Sequence, residues 1–124
     1  MASSSAGLHE PADDMTPLVV NQHRAIVSIM EELEAIDWYD QRIDAATDGE
    51  LKELLAHNRD EEKEHAAMML EWLRRHDAKL DEHLRTYLFT NKRLLEIEEE
   101  AEGKEGGGES SSGDGSLGIG SLRR

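Results

Sequence analysis

Apolar residues from Leu18 onward recur at three- and four-residue steps, through Ile26, Ile29, Met30, Leu33 and Ile36. That spacing predicts an amphipathic helix. No Pro or Gly interrupts it from Leu18 to about Ala46. Thr16 before Pro17 reads as an N-cap followed by proline at the first helical position. Thr47-Asp48-Gly49 then breaks the run, and Asp48 can cap a second helix from about Glu50 to His76. Its apolar stripe is Leu51, Leu54, Leu55, Met69, Trp72 and Leu73, and Arg74, Arg75 and His76 suit its C-terminal dipole. Asp77 can cap a third, shorter helix carrying Leu80, Leu84 and Leu88. A break at Thr90-Asn91 precedes one more short helical piece with Leu94, Leu95 and Ile97.

The pattern contains no strand and no internal repeat, so the fold class is all-α. Two long helices joined by a short turn make an antiparallel hairpin. Such a hairpin buries only part of its apolar surface. Pairing two hairpins into a four-helix bundle covers the rest, so packing alone predicts a homodimer.

Composition trims the foldable length. From Gly103 to Gly115 the chain is almost entirely Gly, Ser, Asp, Glu and Lys, with too little apolar surface to offset ordering entropy. The expected organisation is a loose N-terminal segment (1–15), a helical half-bundle (16–101), a disordered linker (102–114) and a terminal peptide (115–124). A core that small among 124 residues also asks for a partner.

The net charge of −14 argues against nucleic acid and against an anionic membrane surface, and suits attraction of metal cations. The absence of cysteine excludes disulfides, thiolate metal sites and Cys nucleophiles. No apolar run approaches the ~20 residues of a transmembrane helix. A soluble, cytoplasmic protein is the expectation.

Chemistry concentrates in the second helix. At about 100° per residue, Glu62 and His65 fall within the stripe defined by Leu51, Leu55, Met69 and Leu73. A carboxylate there is unfavourable unless it is paired or binds a metal. The Glu62-x-x-His65 spacing points both side chains the same way. Di-iron carboxylate bundles use this pair plus a Glu from a neighbouring helix, and Glu32 lies at the margin of the first helix's stripe. Mixed carboxylate and imidazole donors suit iron or manganese. One chain supplies half a di-iron ligand set, and a two-fold dimer supplies all of it. The structural alternative for Glu62 and His65 is an interhelical ion pair or hydrogen bond.

Other residues read less sharply. Glu31 and Glu34, with Glu32, form an acidic patch that either relays cations or is simply solvated. Trp38 and Tyr39 either shield the metals or pack at an interface. His57 lies one turn from Glu61, while Met68 and Met69 read as packing residues.

Three stretches resemble the encapsulated ferritins, ferritin-like cargo proteins of encapsulin nanocompartments. They are Glu31-Glu32-Leu33-Glu34-Ala35-Ile36-Asp37-Trp38-Tyr39, Asn58-Arg59-Asp60-Glu61-Glu62-Lys63-Glu64-His65-Ala66 and Arg85-Thr86-Tyr87-Leu88-Phe89-Thr90. The resemblance covers roughly residues 8–100 and the terminal peptide. There Leu117, Ile119 and Leu122 alternate with glycine or serine, like the segment that docks cargo on a shell's inner wall.

The resemblance implies ferroxidase activity at two irons per subunit pair, held by Glu32, Glu62 and His65 of each copy. It implies an entry site at Glu31 and Glu34, with Trp38 and Tyr39 beside the centre. It also implies an annular decamer of dimers in the shell lumen, docked through Leu117, Ile119 and Leu122. The alternatives are a non-catalytic metal-binding or structural cargo, and a di-metal peroxidase.

Overall fold

The computed structural model describes residues 7–108. Among these there are four α-helices, α1 (Pro17–Ala45), α2 (Gly49–Arg75), α3 (Ala78–Tyr87) and α4 (Leu94–Gly108), and no strand. The all-α expectation holds. A short 3-10 turn, Ala12–Asp14, precedes α1 within the segment read as loose. Two backbone bonds close it, Asp14 N–H to the Pro11 carbonyl and Met15 N–H to the Ala12 carbonyl.

Three helices start on the caps read from sequence. The Thr16 hydroxyl accepts the Val19 N–H at 3.2 Å, with Pro17 in the first turn. The Asp48 carboxylate accepts the Leu51 N–H at 2.8 Å, and the Asp77 carboxylate accepts the Leu80 N–H at 2.9 Å. Each cap satisfies a donor that the helix leaves without an internal partner. Replacing Asp48 with alanine is expected to cost about 1 kcal/mol. A thermal melt should record that as a midpoint lowered by about 4–8 °C.

The chain divides into two compact units at His76 and Asp77. In the first, α1 and α2 pack as the predicted antiparallel hairpin. Cross-helix contacts step in opposite directions along the two helices. The Gln22 amide donates to the His76 carbonyl at 2.6 Å, capping the exit of α2 from the start of α1. Near the loop, Arg59 of α2 donates to the Asp40 carboxylate of α1 at 2.9 Å. Ala25 and Leu73 are the buried apolar residues here. At the end of α2, hydrogen bonds from Arg74 and then Arg75 hold the Glu71 carboxyl down to about 2.

Much of the apolar stripe stays uncovered within one chain. Ile26, Met30 and Leu33 of α1 and Leu51, Leu54 and Met68 of α2 are exposed. The packing expectation that one hairpin cannot bury its own face is met as far as a single chain can meet it.

In the second unit Glu82, Thr86 and Ile97 are buried. The Thr86 hydroxyl donates back to the Glu82 carbonyl at 3.0 Å, and Lys79 pairs with the Glu82 carboxylate at 3.0 Å. Two boundaries differ from the sequence reading. α3 ends at Tyr87, so Leu88 is its extended cap residue and not part of its stripe. α4 runs to Gly108, past the expected end near Ala101. Glu98, Glu99, Glu100, Ala101 and Glu102 are good helix formers, and each residue added to an existing helix gains a backbone bond without a new nucleation cost. The docking residues Leu117, Ile119 and Leu122 lie outside the described residues.

Candidate metal centre

Glu32 sits mid-way along α1, and Glu62 and His65 sit mid-way along α2. All three stand on continuous helix, whose backbone fixes where each side chain begins. The antiparallel pairing brings position 32 of one helix beside positions 62 and 65 of the other. His65 Nδ1 lies 3.5 Å from Glu62 Oε1 and 3.8 Å from Glu32 Oε1. One donor atom from each of the three can be chosen so that all lie within 4.8 Å of one another. Bonds of about 2.1 Å to nitrogen and oxygen place neighbouring ligands roughly 3 Å apart, so a small rotation closes the set on one ion.

The electrostatics point the same way. The Glu32 carboxyl is pushed up from its ordinary 4.5, first by its hydrogen bond to Glu62 and then by burial and the Glu62 charge, with the Glu31 charge adding to it. The nearby His65 offsets part of this. Two carboxylates held against each other are a poor arrangement for an empty structural contact and a good one for a cation.

The group is only partly covered. The side chains of Glu32 and Glu62 are 22% and 26% exposed, and that of His65 is 45% exposed. Exposed Leu33 follows Glu32 directly, and exposed Met68 follows His65 by three residues, 55% and 58% exposed respectively. The donors thus open onto an apolar face. That refines the sequence reading, which put Glu62 and His65 within the stripe without saying that a single chain leaves the stripe open.

Among the described residues, Glu32, Glu62 and His65 form the group able to hold a metal, and Glu31 and Glu34 are not part of it. Both of these are exposed, and Glu31 reaches the site through its charge. Trp38 is half-exposed, and Tyr39 carries the Arg42 guanidinium 5.5 Å above its ring. His57 pairs with Glu61 at 3.3 Å on the open surface, outside the metal-capable group. One contributor was missed in the sequence. Arg59 stands one turn before Glu62; its bridge to Asp40 at 2.9 Å braces the helix pair beside the site, and its bridge to Asp60 at 3.1 Å lies within α2. Opposite charges at matched positions of α1 and α2 are its only signal, visible once the helix pairing is known.

A helical hairpin presenting two carboxylates and an imidazole is the arrangement of a ferritin-like protein. Comparison with known proteins narrows that class. The EncFtn-like family model matches residues 7–91, and the chain belongs to the EncFtn-like family. The encapsulated ferritin-like protein of Rhodospirillum rubrum is 62% identical over 99% of this chain and 92% of its own length. A ferritin-like protein of Thermotoga maritima is 53% identical over 77% of this chain and 83% of its own. The encapsulin nanocompartment cargo protein EncC of Myxococcus xanthus is 36% identical, covering 79% and 81%. A crystal structure of a Nitrosomonas europaea protein superposes with a TM-score of 0.69 at 57% identity, over 71% of this chain and 97% of that one. The resemblance drawn from the three sequence stretches is borne out, as is the ferritin-like helical fold.

Proposed function

We propose that the chain is one half of a ferroxidase, whose site is completed when a second copy presents the same Glu32, Glu62 and His65. The observation that carries this reading is the half-set of ligands on an uncovered apolar face. A two-fold pairing would cover Leu33 and Met68 and bring two sets together, giving four carboxylates and two imidazoles to two ions. Iron is the substrate. Two Fe(II) each give up one electron to dioxygen, which takes two protons and leaves as hydrogen peroxide, while two Fe(III) depart. The carboxylates balance the added positive charge. Glu31 and Glu34 would gather incoming cations, and Trp38 and Tyr39 would flank the centre.

The wider assembly is the annular decamer of dimers within an encapsulin shell, with Leu117, Ile119 and Leu122 as anchors. The names of the relatives from Rhodospirillum rubrum and Myxococcus xanthus support the shell part of this reading. Fe(III) released into the shell lumen would then be stored there as mineral.

The test is oxygen uptake by the full chain on adding Fe(II) under air. A ferroxidase consumes about one O2 for every two Fe(II), faster than buffer does. Uptake at the buffer rate, with Fe(II) still bound, would leave a non-catalytic metal-binding cargo. Rapid hydrogen peroxide consumption without net iron oxidation would leave a di-metal peroxidase.

A further inference from the structure

Every sulfur in this chain is a thioether. There are five methionines and no cysteine, so an oxidant that takes two electrons from sulfur must take them from methionine. Met1 lies outside the described residues, and the other four differ in access. Met15 and Met69 are partly covered. Met30 and Met68 are exposed, at 38% and 58%. The most open of the four, Met68, also has a particular place. It stands one turn beyond His65 on α2, and residues three apart are neighbours on a helix surface. It lies on the apolar face onto which Glu32, Glu62 and His65 open. Met69 provides an internal comparison, with the same chemistry turned about 100° around the helix and less exposed.

A thioether on such a face is a flexible apolar side chain that packs readily against another apolar surface. Its sulfoxide is polar. Covering that group costs free energy unless a donor meets it, and the exposed neighbours on this face, Ile26, Met30 and Leu33, offer none from their side chains.

We infer that Met68 is an oxidation site through which hydrogen peroxide weakens the pairing of two copies. The thioether sulfur gives two electrons to the peroxide. The O–O bond breaks, one S–O bond forms, and water leaves. The oxidant is the product of the ferroxidase reaction proposed above. Pairing would cover Met68, so the unpaired chain is the form that reacts. Peroxide released by finished centres reaches unpaired copies, oxidises Met68 and holds them apart, so that new centres form more slowly as peroxide accumulates. The inference rests on the proposed pairing and not on turnover.

The test supplies the oxidant from outside, so no iron oxidation is needed. The full-length metal-free chain is diluted, treated with hydrogen peroxide, freed of it and mapped by peptide mass spectrometry, with fragmentation separating Met68 from Met69. Met68 is expected to oxidise several-fold faster than Met69 and Met15, and ahead of Met30. Sedimentation over a range of concentrations, with Mn(II) added, then measures pairing. The treated chain should pair at least about tenfold more weakly, because each pair would cover two sulfoxides. Methionine sulfoxide reductase should restore the original affinity. A Met68→Leu chain, close in volume, should pair equally well before and after treatment. Loss of pairing by treated Met68→Leu would assign the effect to another methionine and overturn the inference. Equal oxidation of Met68 and Met69, or unchanged pairing once Met68 is oxidised, would overturn it too, and these results leave the pairing itself standing. An untreated chain that stays single at every concentration would overturn both the pairing and this inference.

Discussion

A chain carrying Glu62→Ala is expected to oxidise Fe(II) no faster than buffer, a fall of at least about 100-fold where the unaltered chain is active. The magnitude follows from position. Groups that merely orient a metal ligand commonly change affinity or rate by about 10–100-fold when removed, and Glu62 is proposed as a ligand. It also touches both other donors, through His65 Nδ1 at 3.5 Å and through the hydrogen bond that raises the Glu32 carboxyl. Pairing two copies would remove it twice from one centre. Ferric absorbance after anaerobic loading and exposure to air measures the effect. A Lys63→Ala chain, altered at an exposed neighbour on the same helix, should oxidise iron at the unaltered rate. If Glu62→Ala matched it, the assigned ligand would be wrong.

The second large effect is opposite in sign for stability and for binding. Replacing Glu32 with glutamine should raise the melting point of the metal-free protein while removing its response to metal. A carboxyl whose value is raised by folding helps the fold while it is protonated, and that help is lost as the pH rises through its folded value. At neutral pH the charged Glu32 beside Glu62 therefore counts against the metal-free fold, and Glu32→Gln removes the repulsion. Between partly exposed groups this amounts to under about 1 kcal/mol. At about 4–8 °C per kcal/mol, a rise of a few degrees is expected. Acidification from neutral pH towards the ordinary 4.5 should narrow the gap, as the unaltered Glu32 takes up its proton. Adding Mn(II) should reverse the order, stabilising the unaltered chain through mass action and leaving Glu32→Gln nearly unchanged. Melts with and without metal at several pH values give all three comparisons. A Glu32→Gln chain that melted lower without metal would mean that its hydrogen bond matters more than its charge.

The hairpin was legible because its signals are local and redundant. Thr16, Asp48 and Asp77 are capping residues placed where the apolar rhythm stops, and each caps its helix in the structure. The donor group was legible because Glu62 and His65 interrupt an apolar stripe at the spacing of one helical turn. The end of α4 was not, since an argument from apolar burial says little about backbone bonds propagating through Glu98 to Glu102. The conformation of Phe89 was not legible either. In Leu88-Phe89-Thr90-Asn91 the residue most at home in the left-handed region is Asn91, yet it is Phe89 that adopts it. The Arg59–Asp40 bridge depends on two residues far apart in the chain, so it emerges only with the helix register.

The connection between α1 and α2 spans only Ala46, Thr47 and Asp48. So short a link makes the hairpin a product of neighbouring segments, the kind of topology that forms quickly. Glu32 meets Glu62 and His65 within one chain, so gathering the three donors takes no residue from a second copy. Two copies would arrive with their donors already gathered, and the ordering of those side chains would be complete before association begins. The rate at which whole centres appear would then be governed by how often finished halves collide.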